Sequence, residues 1–311
     1  MTPRFAPLPD TLGASFSRAE ATALGVSSRR LLQSDVERIG FALYRRRDAV
    51  PAIQDGGRQE EVLDRHAAQQ WREQHSELLL AHRDRRPEGG FLIGGSAAVL
   101  WELPVRPGAD HRIDIGRFAP SRASRRMEFR SRQLRPDRAR VVRRRGLPVT
   151  DAATTWAMLA PELDLPDLVA LGDAVIRRSR IPGTSRLRRS PLAELEQLRE
   201  VAAIGRRPGA ALLRAAVPLL VTGSASPPET HLRLRLREWG APEPELDHDV
   251  FDRRGRLIGC SEIAYPRYRL ALEYEGDHHR TETAQWNRDI EKYRQYEQNG
   301  WEVIRVTGTL L

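Results

Sequence analysis

Between Leu257 and Glu275 the chain reads as two β-strands in which carboxylates alternate with small and apolar side chains. In the first strand Ile258, Cys260, Glu262 and Ala264 project to one face, where a carboxylate is costly unless something pairs with it. Pro266 ends that strand, and Tyr268 to Glu275 forms the next. There Leu270, Leu272 and Tyr274 share one face, while Ala271, Glu273 and Glu275 share the other. Carboxylates two residues apart on a strand sit roughly 7 Å from each other and repel. A divalent cation between or beside them relieves that repulsion. The strand runs into Gly276-Asp277-His278-His279, a turn whose imidazoles titrate near neutral pH. Three acids on adjoining strands, followed by histidines, are what a Mg²⁺-assisted phosphodiesterase needs. The metal fixes and activates a water and neutralises charge building on the scissile phosphate.

The flanks complete a compact unit. Ser226-Pro227-Pro228-Glu229 is a helix start with prolines in the first turn, and the helix is expected to bury Leu232, Leu236 and Trp239 before Gly240 stops it. Glu229 lies on the same stripe, so its carboxylate faces the core as a ligand or serves a Ser-x-x-Glu capping box; both readings stay open. Asp252-Arg253-Arg254-Gly255 is a hairpin turn with glycine where positive φ is wanted. After the histidines a helix is expected to present Trp286, Ile290 and Tyr293 to the core, with Asp289 and Lys292 one turn apart on its surface. Gly300 ends it, and Trp301–Val306 is a final strand.

On these residues the stretch 226–311 resembles the very-short-patch-repair-like branch of the PD-(D/E)XK nuclease superfamily. The likeness rests on Pro228-Glu229, Ser261-Glu262-Ile263-Ala264, Leu272-Glu273-Tyr274-Glu275-Gly276-Asp277-His278-His279, Asp289 with Lys292, and Gly300-Trp301-Glu302-Val303. It implies a restriction-endonuclease-like mixed sheet flanked by helices, with Mg²⁺ or Mn²⁺ as cofactor. Glu262 takes the place of the metal-binding acid usually supplied by Asp, and Glu273 and Glu275 that of the paired acids on the next strand. His279 follows as a proton-transfer or phosphate-contacting group, Lys292 steadies the phosphate, and Glu229 joins the candidate set. The superfamily's strand lysine is absent, leaving Lys292 or His279 as stand-ins. Glu262 and Glu275 are each one methylene longer than the usual Asp.

The rest of the chain bears on partners. With 311 residues there is material for two or three small domains. A formal net charge of +9 favours a polyanion, and double-stranded DNA is the expected partner. Cys260 is the one cysteine, which excludes an internal disulfide and a thiolate zinc cage. Met1 to Asp10 lacks signal-peptide order, and the apolar run Ala210 to Val221 is too short to span a bilayer, so a cytoplasmic protein without a membrane partner is expected.

Residues 1–50 are expected to form a winged helix-turn-helix-like head. Ser17 with Glu20 starts a short helix ending near Leu24, Gly25 turns the chain, and Ser27 caps a second helix through Leu31, Leu32 and Val36. Ser28, Arg29, Arg30, Gln33, Arg45 and Arg46 are its candidate DNA contacts. The segment 51–190 reads as a mixed α/β middle domain with a long helix over 60–82, a small-residue helix opened by Gly94-Gly95-Ser96, and strands near Arg112–Phe118 and Met127–Leu134. Asp173 is a lone helical acid, a surface or pairing residue. Arg177 to Arg189 reads as a basic linker or exposed loop, and 191–225 as a helical bridge.

Phe16-Ser17-Arg18-Ala19-Glu20 through Tyr44-Arg45, Gly95 to Pro104, and Gly146 to Thr150 are similar to the transcription-regulating antitoxins of abortive-infection, type IV toxin–antitoxin systems. The overall expectation is an α/β (α+β) protein that binds DNA and carries a metal-dependent endonuclease-like domain. The rival is a non-catalytic transcriptional regulator or antitoxin of a toxin–antitoxin or phage-defence system.

Overall fold

The computed structural model describes residues 6–9, 11–13, 15–40, 43–46, 60–106, 112–275 and 283–307. The chain is α/β and divides into two compact units, Met1–Asp151 and Ala152–Leu311. That boundary falls inside the segment 51–190 expected to be a single domain.

The first unit opens with strand β1 (Ser15–Ser17) and helix α1 (Arg18–Ala23). Gly25, at φ +77°, ends α1 with paired bonds from its own N–H to the Thr22 carbonyl and from the Val26 N–H to that of Ala21. The expected second helix is only one 3-10 turn, Arg30–Leu32. Gln33 is already extended, and the run to Gly40 is strand β2 (Val36–Gly40), paired with β3 (Leu43–Arg46). Ser34 and Asp35 favour local turns over a helix, and from Val36 the chain pairs as a hairpin with the strand that follows, Val36 opposite Arg46 and Gly40 opposite Leu43. The sheet order is β1-β3-β2, and Leu8, Leu12, Phe16, Ala21, Val26, Leu31, Val36 and Tyr44 form its core.

Helix α2 (Glu60–Ala81) follows and buries Trp71, His75, Leu78 and Leu79. Then come β4 (Phe91–Leu92), α3 (Gly94–Leu100), β5 (Ile113–Phe118), β6 (Phe129–Leu134), β7 (Val141–Arg144) and β8 (Leu147–Thr150). They make a mixed sheet of order β6-β5-β4-β8-β7. Its buried polar groups are used internally: Ser96 Oγ accepts the Asp114 N–H at 2.8 Å and contacts His75 Nε2 at 2.8 Å.

The second unit begins with α4 (Ala152–Leu159) and α5 (Leu165–Ile176), the latter capped by Asp164 and opened by Pro166. The hairpin of β9 (Ser179–Arg180) and β10 (Leu187–Arg189) follows, then α6 (Leu195–Ala203), α7 (Ala210–Ala216) and α8 (Pro227–Glu238). Next are β11 (Glu245–Phe251), β12 (Leu257–Tyr265), β13 (Leu270–Glu275), α9 (Thr283–Gln298) and β14 (Glu302–Thr307). The four strands lie in the order β11-β12-β13-β14, antiparallel except for the parallel β13–β14 pair. Asp173 is a buried pairing residue: it meets Arg233 Nη2 at 3.2 Å, Thr230 Oγ1 at 2.9 Å and the Val221 N–H at 2.7 Å, tying α5 to α8.

The two faces of this sheet differ. Leu232 of α8 packs with Ile263, Tyr265, Leu272 and Val306. On the opposite face Tyr296 of α9 packs with Val250 and Ala271. Two expected core residues are exposed instead, Trp239 at 70 % and Ile290 at 47 %. Trp239 is only the cap of α8. Ile290 lies off the stripe Lys292–Tyr296 that α9 turns to the sheet, where Lys292 meets Glu273 and Tyr296 packs on Val250 and Ala271. The side chain of Trp286 lies outside the described residues.

Candidate active site

Strand register brings the acids together. The β12–β13 ladder pairs Tyr265 with Leu270, Ala264 with Ala271 and Ile263 with Leu272. Glu262 and Glu273 would be the next pair, and there the ladder stops. The Tyr274 N–H instead donates to Glu262 Oε2 at 2.8 Å, so a side chain replaces a strand bond. Opposite Glu262 on β11, Asp247 holds a left-handed φ of +52°, a conformation tolerated by Asp but rare outside Gly. Local irregularity of this kind re-aims side chains at sites.

Glu273 is 4 % exposed. Lys292 Nζ reaches its Oε2 at 2.9 Å and donates to the Cys260 carbonyl at 2.9 Å. Lys292 is the sole lysine of a chain with 51 basic residues. A compact ammonium fits between a carboxylate and a carbonyl where a planar guanidinium does not. The other oxygen of Glu273, Oε1, is buried and has no hydrogen-bond partner among the described residues. An acceptor in that state is costly and marks a place where a further cation or donor fits. Burial raises the Glu273 carboxyl above its ordinary range, Lys292 and the neighbouring Ser261 hydroxyl oppose the rise, and Asp289 adds to it. The Ser261 hydroxyl donates to the Ile263 carbonyl at 3.0 Å and so leaves Oε1 without a hydrogen bond.

Glu262 is pushed up from 4.5 to about 8, first by burial and then by the charges of Glu229 and Glu273, with Tyr274 and Lys292 opposing. Glu229 is also raised, mainly by burial. Its two oxygens accept from the Ala225 N–H at 2.7 Å and the Ser226 hydroxyl at 2.8 Å, and the same hydroxyl caps the Glu229 N–H. Ser226 therefore caps the helix, while Glu229 accepts from the Ala225 N–H and not from the Ser226 N–H that a capping box would use, and its charge raises Glu262.

The remaining candidates divide. Glu275 ends β13, but its side chain lies outside the described residues, as do His278 and His279. Among the described residues no three carboxyl, imidazole or thiol groups gather tightly enough to hold a metal ion. Cys260 is no nucleophile: burial first, and Asp247 next, drive its thiol upward, and Sγ donates to Asp247 Oδ1 at 3.0 Å.

In the head, Arg30 is committed to structure, bonding Asp35 at 2.8 and 2.5 Å and the Ala6 carbonyl at 2.6 Å. Arg46 likewise holds the carbonyls of Leu12 and Leu8. Both brace the small head core. Arg29 is exposed, the Ser28 hydroxyl accepts from Arg18 at 2.7 Å, and Gln33 donates to the Arg29 carbonyl at 3.3 Å. The Arg45 side chain lies outside the described residues. Local pattern gave no sign of two groups: the Tyr274 N–H that serves Glu262, and Arg177, which lowers Glu229 from a segment read as linker.

No family model matches the chain. Two uncharacterized proteins of Mycobacterium tuberculosis, from strains CDC 1551 / Oshkosh and H37Rv, are each 27 % identical to it over 168 residues. The match covers 54 % of this chain and 58 % of each relative, so the chain spans less than two thirds of their length. Among the described residues no helix is long and apolar enough to cross a membrane.

Proposed function

We propose that this chain is a DNA-binding protein whose C-terminal α/β part hydrolyses phosphodiester bonds with a divalent cation. The observation that carries the reading is Glu273: a buried carboxylate on a sheet face, one oxygen held by Lys292 and the other with no hydrogen-bond partner among the described residues, and close enough to Glu262 and Glu229 to raise both. Glu273 and Glu262, with Glu275, are the residues that would hold Mg²⁺ or Mn²⁺. A metal bound there would supply an activated water and offset charge on the phosphate. Glu262 is protonated near neutral pH, so it releases a proton when it becomes a ligand. Lys292 pairs with Glu273 and opposes the rise that burial imposes on it, and its ammonium would offset charge building on a bound phosphate. His279 is proposed as the proton-transfer or phosphate-contacting group, and Arg29 of the head as a DNA contact.

The test is nicking of supercoiled plasmid by the full chain with Mg²⁺ or Mn²⁺, against Glu273→Gln. Metal-dependent nicking lost in the variant supports the reading; equal behaviour of the two proteins removes it.

A regulator or antitoxin without catalysis is favoured by one feature: Lys292 already neutralises Glu273 without any metal. In that case sequence-selective duplex binding survives Glu273→Gln and falls in Arg29→Ala.

A further inference from the structure

The segment 177–189 holds six arginines in thirteen residues, and no acid occurs before Glu194. It is a built hairpin. Ile181-Pro182-Gly183-Thr184 closes with the Thr184 N–H on the Ile181 carbonyl at 3.1 Å. Pro182 at the second turn position and Gly183 at φ +75° in the third are what a type II turn demands. One arginine fastens the hairpin to the sheet: Arg180 bonds the Asp249 carboxylate and the Asp247 carbonyl, with Nε 3.3 Å from Asp247 Oδ2. A side chain at 183 would press on Leu257, its built Cβ lying 3.1 Å from Leu257 Cδ2.

With Arg180 used as the fastener, other arginines face outward. Arg186 and Arg188 are exposed and have no carboxylate partner among the described residues. Arg188 and Arg189 of β10 line a cleft of about 340 Å³ together with Arg177, Ser179 and Ser190. Arg177 links the cleft to Glu229, whose carboxyl its charge lowers. Arg177 Nη1 donates to the Ala225 carbonyl at 2.8 Å, the Ala225 N–H holds Glu229, and Glu229 acts on Glu262. Three guanidiniums with hydroxyls between them are a phosphate-recognising set, because their planar forks match phosphate oxygens in pairs.

We propose that this cleft is a phosphate subsite, binding a backbone phosphodiester of duplex DNA beside the bond to be cut. The inference rests on the nuclease reading for its purpose, though not for its measurement. Fastening the hairpin to the same sheet that carries Glu262 sets a fixed spacing between this phosphate and the carboxylates, as positioning of a scissile bond requires.

Binding of a short fluorescent DNA duplex to the full chain, in EDTA so that no cleavage intervenes, tests it by anisotropy across a salt series. Arg188→Gln is compared with Arg186→Gln, which removes the same charge from the same hairpin outside the cleft lining. Arg188→Gln is expected to weaken binding roughly five- to tenfold near 0.1 M salt and to lower the salt slope by about one. Arg186→Gln is expected to stay within about twofold of the parent, as a diffuse charge effect. If Arg188→Gln binds like the parent, or the two variants weaken equally, the subsite is refuted. Both side chains are exposed, so unfolding does not blur the comparison. Plasmid nicking by Glu273→Gln separates the two ideas: an Arg188-specific binding loss without metal-dependent nicking keeps the subsite and removes the nuclease, and nicking without that loss does the reverse.

Discussion

Replacing Glu262 by Gln should stabilise the metal-free protein near neutral pH, although it removes an ionisable residue from the centre of the site. Burial and two neighbouring carboxylates raise Glu262 from 4.5 to about 8. The unfolded chain ionises this group above 4.5, while the folded chain retains the proton up to about 8. The stability it contributes is therefore complete below pH 4.5 and is lost as pH rises through that window. Each pH unit inside the window costs about 1.4 kcal/mol, so near pH 7 the cost is on the order of 3 kcal/mol. Gln carries no such proton, and its amide oxygen can accept the Tyr274 N–H that now reaches Oε2 at 2.8 Å. Urea unfolding in EDTA, followed by circular dichroism, should show Glu262→Gln close to the parent near pH 4 and more stable near pH 7 by up to ~3 kcal/mol. Added Mn²⁺ should then stabilise the parent more than the variant, because ligand binding to the folded state shifts unfolding by mass action. A variant that is destabilised equally at both pH values would falsify this reasoning and make Glu262 an ordinary hydrogen-bonded strut.

Other substitutions probe the same framework. Lys292→Met leaves the buried Glu273 without its cation and should cost about 3–5 kcal/mol in urea unfolding, most of it recovered by adding Glu273→Gln; no recovery in the double variant would deny the pairing. Asp173→Ala takes from Arg233, itself 2 % exposed, its nearer carboxylate and leaves Glu243 at 3.9 Å, and a loss of roughly 3 kcal/mol is expected; a loss below ~0.5 kcal/mol would mean the pair does not hold α5 to α8. In the head, Arg30→Ala should expose residues 6–46 to limited proteolysis while Arg29→Ala leaves digestion unchanged, and identical digestion of both would contradict the bracing role. Gly172→Ala would set a Cβ 2.4 Å from Leu220 Cδ2 and 3.0 Å from Trp156 Nε1, an overpacking worth about 1–3 kcal/mol that a thermal melt should register.

What the amino-acid order determined by itself is the short-range content of the C-terminal part. The cap at Ser226, the turn through Gly255, the alternation along Leu257–Tyr265 and Leu270–Glu275, and the stop at Gly300 all depend on neighbours within a few residues. Period and turn chemistry reveal these directly. The acids on each strand face could likewise be read in advance, since a β-strand alternates whatever it packs against. Only the tertiary structure decided which charge meets which. Lys292 is nineteen residues from Glu273 and Arg180 sixty-nine from Asp249, separations at which no periodicity carries information. The head differs only in degree: a local reading favoured a second helix there, yet the Ala6 carbonyl, twenty-four residues back, holds Arg30, and the next strand of a hairpin pairs Val36 with Arg46, so contacts made on folding outweigh the weak intrinsic preference of a short segment.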